Sequence, residues 1–279
     1  MTTPGDFQFD EIGRWSELKL EIVEKYGTGY TTAFAGPKGR HLRKYYIDAF
    51  SGAGVHISKE TGRQIEGSPA RALKVRPTFD HFYFIDLNPE KTAHLKTLCG
   101  DRKDVTIITD DATFYLTRTL LPTIQFKKFN RALCLLDPYG LHLDWDVMRQ
   151  AGQSKAVDMF LNFPVMDMNR NAIWRNPERA PRGGIERMTR FWGDESWRQA
   201  AYADSAQYQL FSAPDRIKQD NDAIIAAFRG RLRNVGGFDY VPEPLAMRNA
   251  NNAVVYYLFL ASPKPVAEKI IEAIFAKYR

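Results

Sequence analysis

Lys44-Tyr45-Tyr46-Ile47-Asp48-Ala49-Phe50-Ser51-Gly52-Ala53-Gly54 decides how the chain is read. The first seven residues are largely aromatic and β-branched and too few for a helix, while Ser-Gly-Ala-Gly is a turn, so the stretch predicts a strand entering a glycine loop. Downstream the same pattern returns. His81-Phe82-Tyr83-Phe84-Ile85-Asp86 ends in an acid and precedes a helix expected over 89–98. The run 105–109 leads into Asp110-Asp111 and a helix over 112–121, 132–136 leads into Asp137-Pro138-Tyr139, and 156–163 ends at Asn162-Phe163-Pro164. Strands apolar along their whole length are buried on both faces, and parallel neighbours are joined by crossover helices. The predicted fold is α/β, a doubly wound, mostly parallel sheet of Rossmann-like type.

Working outward, Trp15, Leu18, Ile22, Val23 and Tyr26 recur at helical spacing, predicting a leading helix that stops at Gly27. Gly67-Ser68-Pro69 predicts a short helix through Leu73 and Val75, with Ser68 as cap and Pro69 in the first turn. From 165 to 230 the strand rhythm gives way to helical, Arg- and Trp-rich sequence, before 253–260 restores a strand and Val266, Ile270, Ile271, Ile274, Phe275 and Tyr278 form an amphipathic helix. The expected division is an N-terminal helical extension (1–43), an α/β body (44–164 and 231–279) and a helical insertion (165–230).

The chain has 279 residues, 44% of them hydrophobic, enough for one large buried core, and 26% charged with 13% aromatic excludes a disordered class. Thirty-nine Lys plus Arg against 33 Asp plus Glu give +6, which is compatible with an anionic partner without requiring one. Cys99 and Cys134 stand apart, and the five histidines lack ligand spacing, so neither a disulfide framework nor a metal site is expected. No apolar run approaches the ~18 residues of a membrane span, and a cytoplasmic protein is expected.

In an open parallel sheet, ligands bind beyond the carboxyl ends of the strands. Asp48, Asp86, Asp111 and Asp137 all fall there. Singly, each such aspartate is an ordinary cap or turn residue, but the ordered series predicts an adenosyl ligand. Gly52 and Gly54 let the backbone approach it closely. Asp86 is placed for ribose hydroxyls, Asp111 for an adenine amino group with Ala112 as backbone donor, and Asp48 for the amino end of a methionine moiety. A dinucleotide site fits poorly, because His56-Ile57-Ser58 follows Gly54 where a third glycine is needed.

Asp137-Pro138-Tyr139 is suited to methyl transfer onto an exocyclic amine. Its nitrogen must leave conjugation, so the Asp137 carboxylate and the Pro138 carbonyl accept the amine protons while Tyr139 stacks on the base. The competing reading is a strand end with Tyr139 as wall packing. In the insertion, Arg170, Trp174 and Arg175, followed by Arg179, Arg182, Arg187, Arg190, Phe191 and Trp192, combine phosphate-pairing charge with stacking faces and suggest nucleic acid. A solvated face with its tryptophans turned inward accounts for them equally well.

Trp15-Ser16-Glu17-Leu18-Lys19, the stretch 46–54, Glu66-Gly67-Ser68-Pro69, Phe84-Ile85-Asp86, Leu136-Asp137-Pro138-Tyr139-Gly140 and the run 256–262 together resemble the three-Cys-motif partner family, TcmP, over nearly the whole chain. The resemblance implies a class I S-adenosylmethionine methyltransferase fold, with S-adenosylmethionine as cofactor and a three-cysteine protein similar to radical S-adenosylmethionine enzymes as partner. It places the cofactor turn on Phe50, Ser51, Gly52 and Gly54, the ribose acid on Asp86 with Leu87 beside it, the next acid on Asp111 with Ala112, and the catalytic motif on Asp137, Pro138 and Tyr139. Two positions depart: Leu20 stands where many relatives carry histidine, and the motif has one proline where amino-methyltransferases have two.

Overall fold

The computed structural model of the chain describes residues 7–204 and 216–279. Positions 1–6 of the expected N-terminal extension and 205–215 of the expected insertion therefore lie outside the described residues. Seven strands form the central sheet: β1 (Arg43–Asp48), β2 (His81–Asp86), β3 (Val105–Thr109), β4 (Asn130–Leu136), β5 (Val157–Phe163), β6 (Leu245–Arg248) and β7 (Val254–Ala261). Their order is β6-β7-β5-β4-β1-β2-β3. β1 pairs in parallel with both β2 and β4, whereas β7 runs antiparallel between β5 and β6. The chain order reverses between β1 and β4, which opens a crevice at their carboxyl ends.

The helices framing this sheet are α1 (Arg14–Ala33), α2 (Pro89–Cys99), α3 (Trp145–Gln153), α4 (Val165–Asn171), α5 (Arg182–Trp192), α6 (Asn221–Asn234) and α7 (Pro265–Phe275). Alternation along each strand sends successive side chains to opposite faces. Leu133 and Leu135 join Tyr26 of α1, Leu95 of α2 and Ile271 of α7 in one core, while Cys134 and Leu136 join Met148, Phe191 and Phe228 in the other. Each buried aromatic such as Phe160 or Phe228 contributes roughly 1.5–3 kcal/mol relative to exposure. Phe191, Trp192 and Trp197 of the inserted region lie in the same core as the sheet, and α6 runs through position 230 without a break. The inserted region also carries a short antiparallel pair, Tyr202–Asp204 with Arg216–Lys218.

Two local expectations change, and two strand elements are added. α1 continues past Gly27 to Ala33, because Tyr30 and Thr31 extend its buried face and Tyr30 stacks 5.9 Å from Phe79. Gly67 rather than Ser68 caps the short helix, which spans Ser68–Ala72. The stretch after Gly54 is no plain loop: Val55–Ser58 pairs with Gln64–Glu66, and Glu11–Ile12 adds a parallel third strand. Finally, β6 is a sheet strand that the sequence hid between proline- and asparagine-rich flanks.

Across the core, Asp158 accepts hydrogen bonds from Tyr26 Oη and Ser262 Oγ, both at 2.6 Å, which tie α1 and the end of β7 to β5. Among the described residues no helix is long and apolar enough to cross a membrane, and both cysteines are buried and free.

Candidate functional site

The glycine turn after β1 is fastened to β2, because Ser51 donates to the Ile85 carbonyl through both its N–H (2.9 Å) and its hydroxyl (3.1 Å). Gly52 and Gly54 have φ of +62° and +79°, a left-handed backbone that suits glycine, and a Cβ on Gly54 would come within 2.9 Å of Leu95. Phe50 packs half-buried below the turn. At the floor, Asp48 is fully buried; its Oδ1 accepts the Phe50 N–H at 3.3 Å, and its Oδ2 has no well-formed hydrogen bond. Burial pushes this carboxyl up to about 7, against the pull of the neighbouring Ser68 hydroxyl and the Phe50 N–H.

Asp86 is aimed by the same turn. Its Oδ2 accepts the Gly52 N–H and its Oδ1 the Asn88 N–H, both at 2.8 Å, which fixes the carboxylate while leaving lone pairs toward the crevice. Beside it Leu87 is 71% exposed and Phe114 58% exposed, a pair of large apolar side chains held in solvent at the carboxyl edge. Asp111 caps the helix that starts at the buried Ala112, accepting the Phe114 N–H at 2.8 Å, so the ordinary capping reading is met there along with its position at the rim. A hollow of about 700 Å³ adjoins it, lined by Asp111, Phe114, Leu141 and His142.

At the end of β4 the arrangement differs from the open motif that the sequence suggested. Lys19, only 5% exposed, reaches from α1 to pair with Asp137 Oδ2, and Asn162 Nδ2 from β5 donates to Asp137 Oδ1 at 2.7 Å. Both carboxylate oxygens are thus engaged by the protein itself. Pro138 is buried and Tyr139 is 65% exposed. The Tyr139 ring is not wall packing: Lys91 of α2 donates to its hydroxyl at 3.0 Å, and the same ammonium pairs with Asp10 at 2.6 Å. A bridge therefore runs from Tyr139 on the β4 side to Lys91 on the β2 side of the crevice, with Asp10 of the N-terminal segment fastened to the same ammonium. His56 also stands at the turn, its Nε2 3.1 Å from where a Gly67 Cβ would lie and its buried Nδ1 without a partner. Burial and the Lys19 charge hold its pKa below the ordinary histidine value.

Lys19, Asn162, His56 and Phe114 are the residues that sequence reading missed. Lys19 had a legible signal: it falls within the apolar stripe of α1, four after Trp15 and three before Ile22. In the inserted region the inward reading holds for Phe191 and Trp192, both buried. Trp174 stays 38% exposed, donating from Nε1 to the Arg170 carbonyl at 2.8 Å, and Arg170 and Arg175 are exposed. α4 clasps the loop after β4, since Asp167 accepts the Leu141 N–H at 3.0 Å and would collide with any Cβ on Gly140.

A seven-stranded sheet of this order, with one antiparallel strand between the fifth and the edge, is the class I methyltransferase-like, Rossmann-like fold. No protein-family model and no curated protein matches the chain. Among solved structures it is similar to a Legionella pneumophila protein of the DUF519 family (12% identity, 91% of each chain covered, TM-score 0.49). The methyltransferase domain of bacterial CtHen1-CN is similar at 10% identity, with 86% of this chain and 99% of that one covered and a TM-score of 0.39. Aeropyrum pernix fibrillarin, whose structure contains bound S-adenosyl-L-methionine, is similar at 10% identity, covering 88% and 76%, with a TM-score of 0.37.

Proposed function

We propose that the chain is an S-adenosylmethionine-dependent methyltransferase acting on a nitrogen of a nucleic-acid base. The observation that carries the cofactor part is the fully buried Asp48 carboxyl, whose Oδ2 has no well-formed hydrogen bond although the Ser68 hydroxyl lies near, beneath a turn whose two glycines have positive φ. A carboxylate oxygen so incompletely satisfied in that position is costly unless a cation completes it, and the ammonium of a methionine moiety is such a cation. Asp86 is aimed for a ribose diol, and Leu87 and Phe114 offer apolar faces to an adenine. When bound, the cofactor supplies an electrophilic methyl group on a sulfonium. Asp137 and the Pro138 carbonyl would then orient the acceptor amine by accepting hydrogen bonds from its two N–H groups, with the Asp137 carboxylate passing the proton that the nitrogen loses to solvent, while Tyr139 stacks on the ring, after Lys19 and Lys91 give up their present contacts.

Titration calorimetry with S-adenosylhomocysteine tests the cofactor part: binding to the wild type, with at least about tenfold loss in Asp86→Ala, is expected, and an inert wild type overturns it. The acceptor part is tested by incubating RNA and DNA with methyl-labelled S-adenosylmethionine and digesting to nucleosides; label on a base is expected, and its absence from both removes the base assignment.

The occupied Asp137 favours a second reading. A chain whose acceptor motif is neutralised by its own Lys19 fits a non-catalytic partner of a three-Cys-motif protein that keeps the cofactor cradle. Cofactor binding without transfer to any nucleic acid, together with co-purification of such a protein, distinguishes it.

A further inference from the structure

Away from the glycine turn, a hollow of about 680 Å³ opens between the first turn of α1, the edge strand β6 and the end of α7. Arg14, Arg248 and Arg279 line it together with the apolar Trp15, Leu18 and the buried Met247, and Glu60 adds one carboxylate. Arg14 makes no hydrogen bond or ion pair among the described residues, while Arg248 and Arg279 each spend one nitrogen on a backbone carbonyl, of Asn252 at 2.9 Å and Glu243 at 3.0 Å. Guanidinium groups with free donors beside apolar side chains suit a ligand that joins an anion to a flat ring.

The hollow shares a wall with the Asp137 cluster. Lys19 directly follows Leu18, its ammonium lies 5.6 Å from the Tyr256 ring centroid, and Tyr256 donates to the Trp15 carbonyl at 3.0 Å. Met247 sits opposite Tyr256 in the β6–β7 register. Because β7 is antiparallel to both β5 and β6, β6 runs in the same sense as β5, and Arg248 ends at the same sheet edge as Asp137.

We infer that this hollow holds the nucleotide strand of the methyl acceptor, the arginines pairing with backbone phosphates and the partly exposed Trp15 and Leu18 taking a base. The inference rests on the methyltransferase reading and names its acceptor surface, away from Arg170, Trp174 and Arg175. Trp15 supplies ring contact at low entropic cost, and Arg14, the one guanidinium of the three without a bond to its own chain, is the most available for a phosphate.

The test is fluorescence anisotropy of single-stranded ribo- and deoxyribo-oligonucleotides of roughly ten nucleotides, with the wild type, Arg14→Glu/Arg248→Glu and Arg170→Glu/Arg175→Glu. S-adenosylhomocysteine titration of each protein runs in parallel and reports on the cofactor reading and on folding. Expected is salt-sensitive binding of at least one oligonucleotide by the wild type and a loss of at least about tenfold in the Arg14/Arg248 variant alone, with S-adenosylhomocysteine affinity unchanged. Loss confined to the Arg170/Arg175 variant overturns the inference in favour of the inserted region. So does an absence of oligonucleotide binding by a wild type that still binds S-adenosylhomocysteine, which leaves the cofactor reading standing. A polyglutamate peptide that binds as tightly as the oligonucleotides would show selection by charge alone and also overturns it.

Discussion

Asp48 carries the clearest pH signature. Its folded pKa, pushed up to about 7 by burial, lies above the ordinary carboxyl value, so between the two the native state holds a proton that the unfolded chain has released. Stability therefore falls as pH rises through that window. Asp48→Asn should flatten the dependence and make the protein more stable than wild type at about pH 8 but not at about pH 4, read by urea unfolding. With the cofactor placed as proposed, S-adenosylhomocysteine affinity of the wild type should rise over the same window, because its ammonium would pair with the ionised carboxylate. Lys19 gives a second expectation. Lys19→Met leaves the partly buried Asp137 charge without its cation and should cost on the order of 3 kcal/mol, with a large part recovered by adding Asp137→Asn, as measured by a double-mutant cycle in urea. The rim acids were legible because each follows an apolar strand. Lys19 was marked only as a charge inside the apolar stripe of α1 and Asn162 not at all as a site residue; that both meet Asp137 follows from the packing of α1 on the sheet and from the pairing of β5 with β4.

Elements are locked at two points that substitution can probe. Tyr26→Phe removes the hydroxyl that satisfies Asp158 Oδ2 in the fully buried junction of α1 and β5, and should cost about 1–3 kcal/mol in urea unfolding without altering S-adenosylhomocysteine affinity. Gly140→Ala drives a Cβ to within 2.5 Å of Asp167 at a φ of +58°. It should detach α4 from the loop after β4, weakening transfer more than it weakens cofactor binding, which a comparison of calorimetry with turnover would reveal. β1 to β5 and β7 were readable from their apolar runs. β6 escaped because four residues beside prolines carry too little period, and α1 overran Gly27 because tertiary burial of Tyr30 outweighed the local cost of glycine in a helix.

At the scale of the whole molecule, the doubly wound architecture was legible because near-continuous apolar strands alternating with helices leave few other arrangements. The antiparallel sense of β7 was not, since strand direction depends on connections that composition does not encode. A ligand that binds only the folded chain raises its melting temperature, and at a hundredfold excess over Kd the gain is about 2.7 kcal/mol, several degrees for a chain of this size. S-adenosylhomocysteine should produce such a shift and NADH none, as scanning fluorimetry would show. The contact of Tyr139 with Lys91 and Asp10 has a temporal corollary. Under the proposed function, a nucleoside arriving by diffusion would meet a latch, so its observed capture rate should level off with concentration at the pace of unlatching; in Tyr139→Ala, stopped-flow traces should instead accelerate in proportion to the dose.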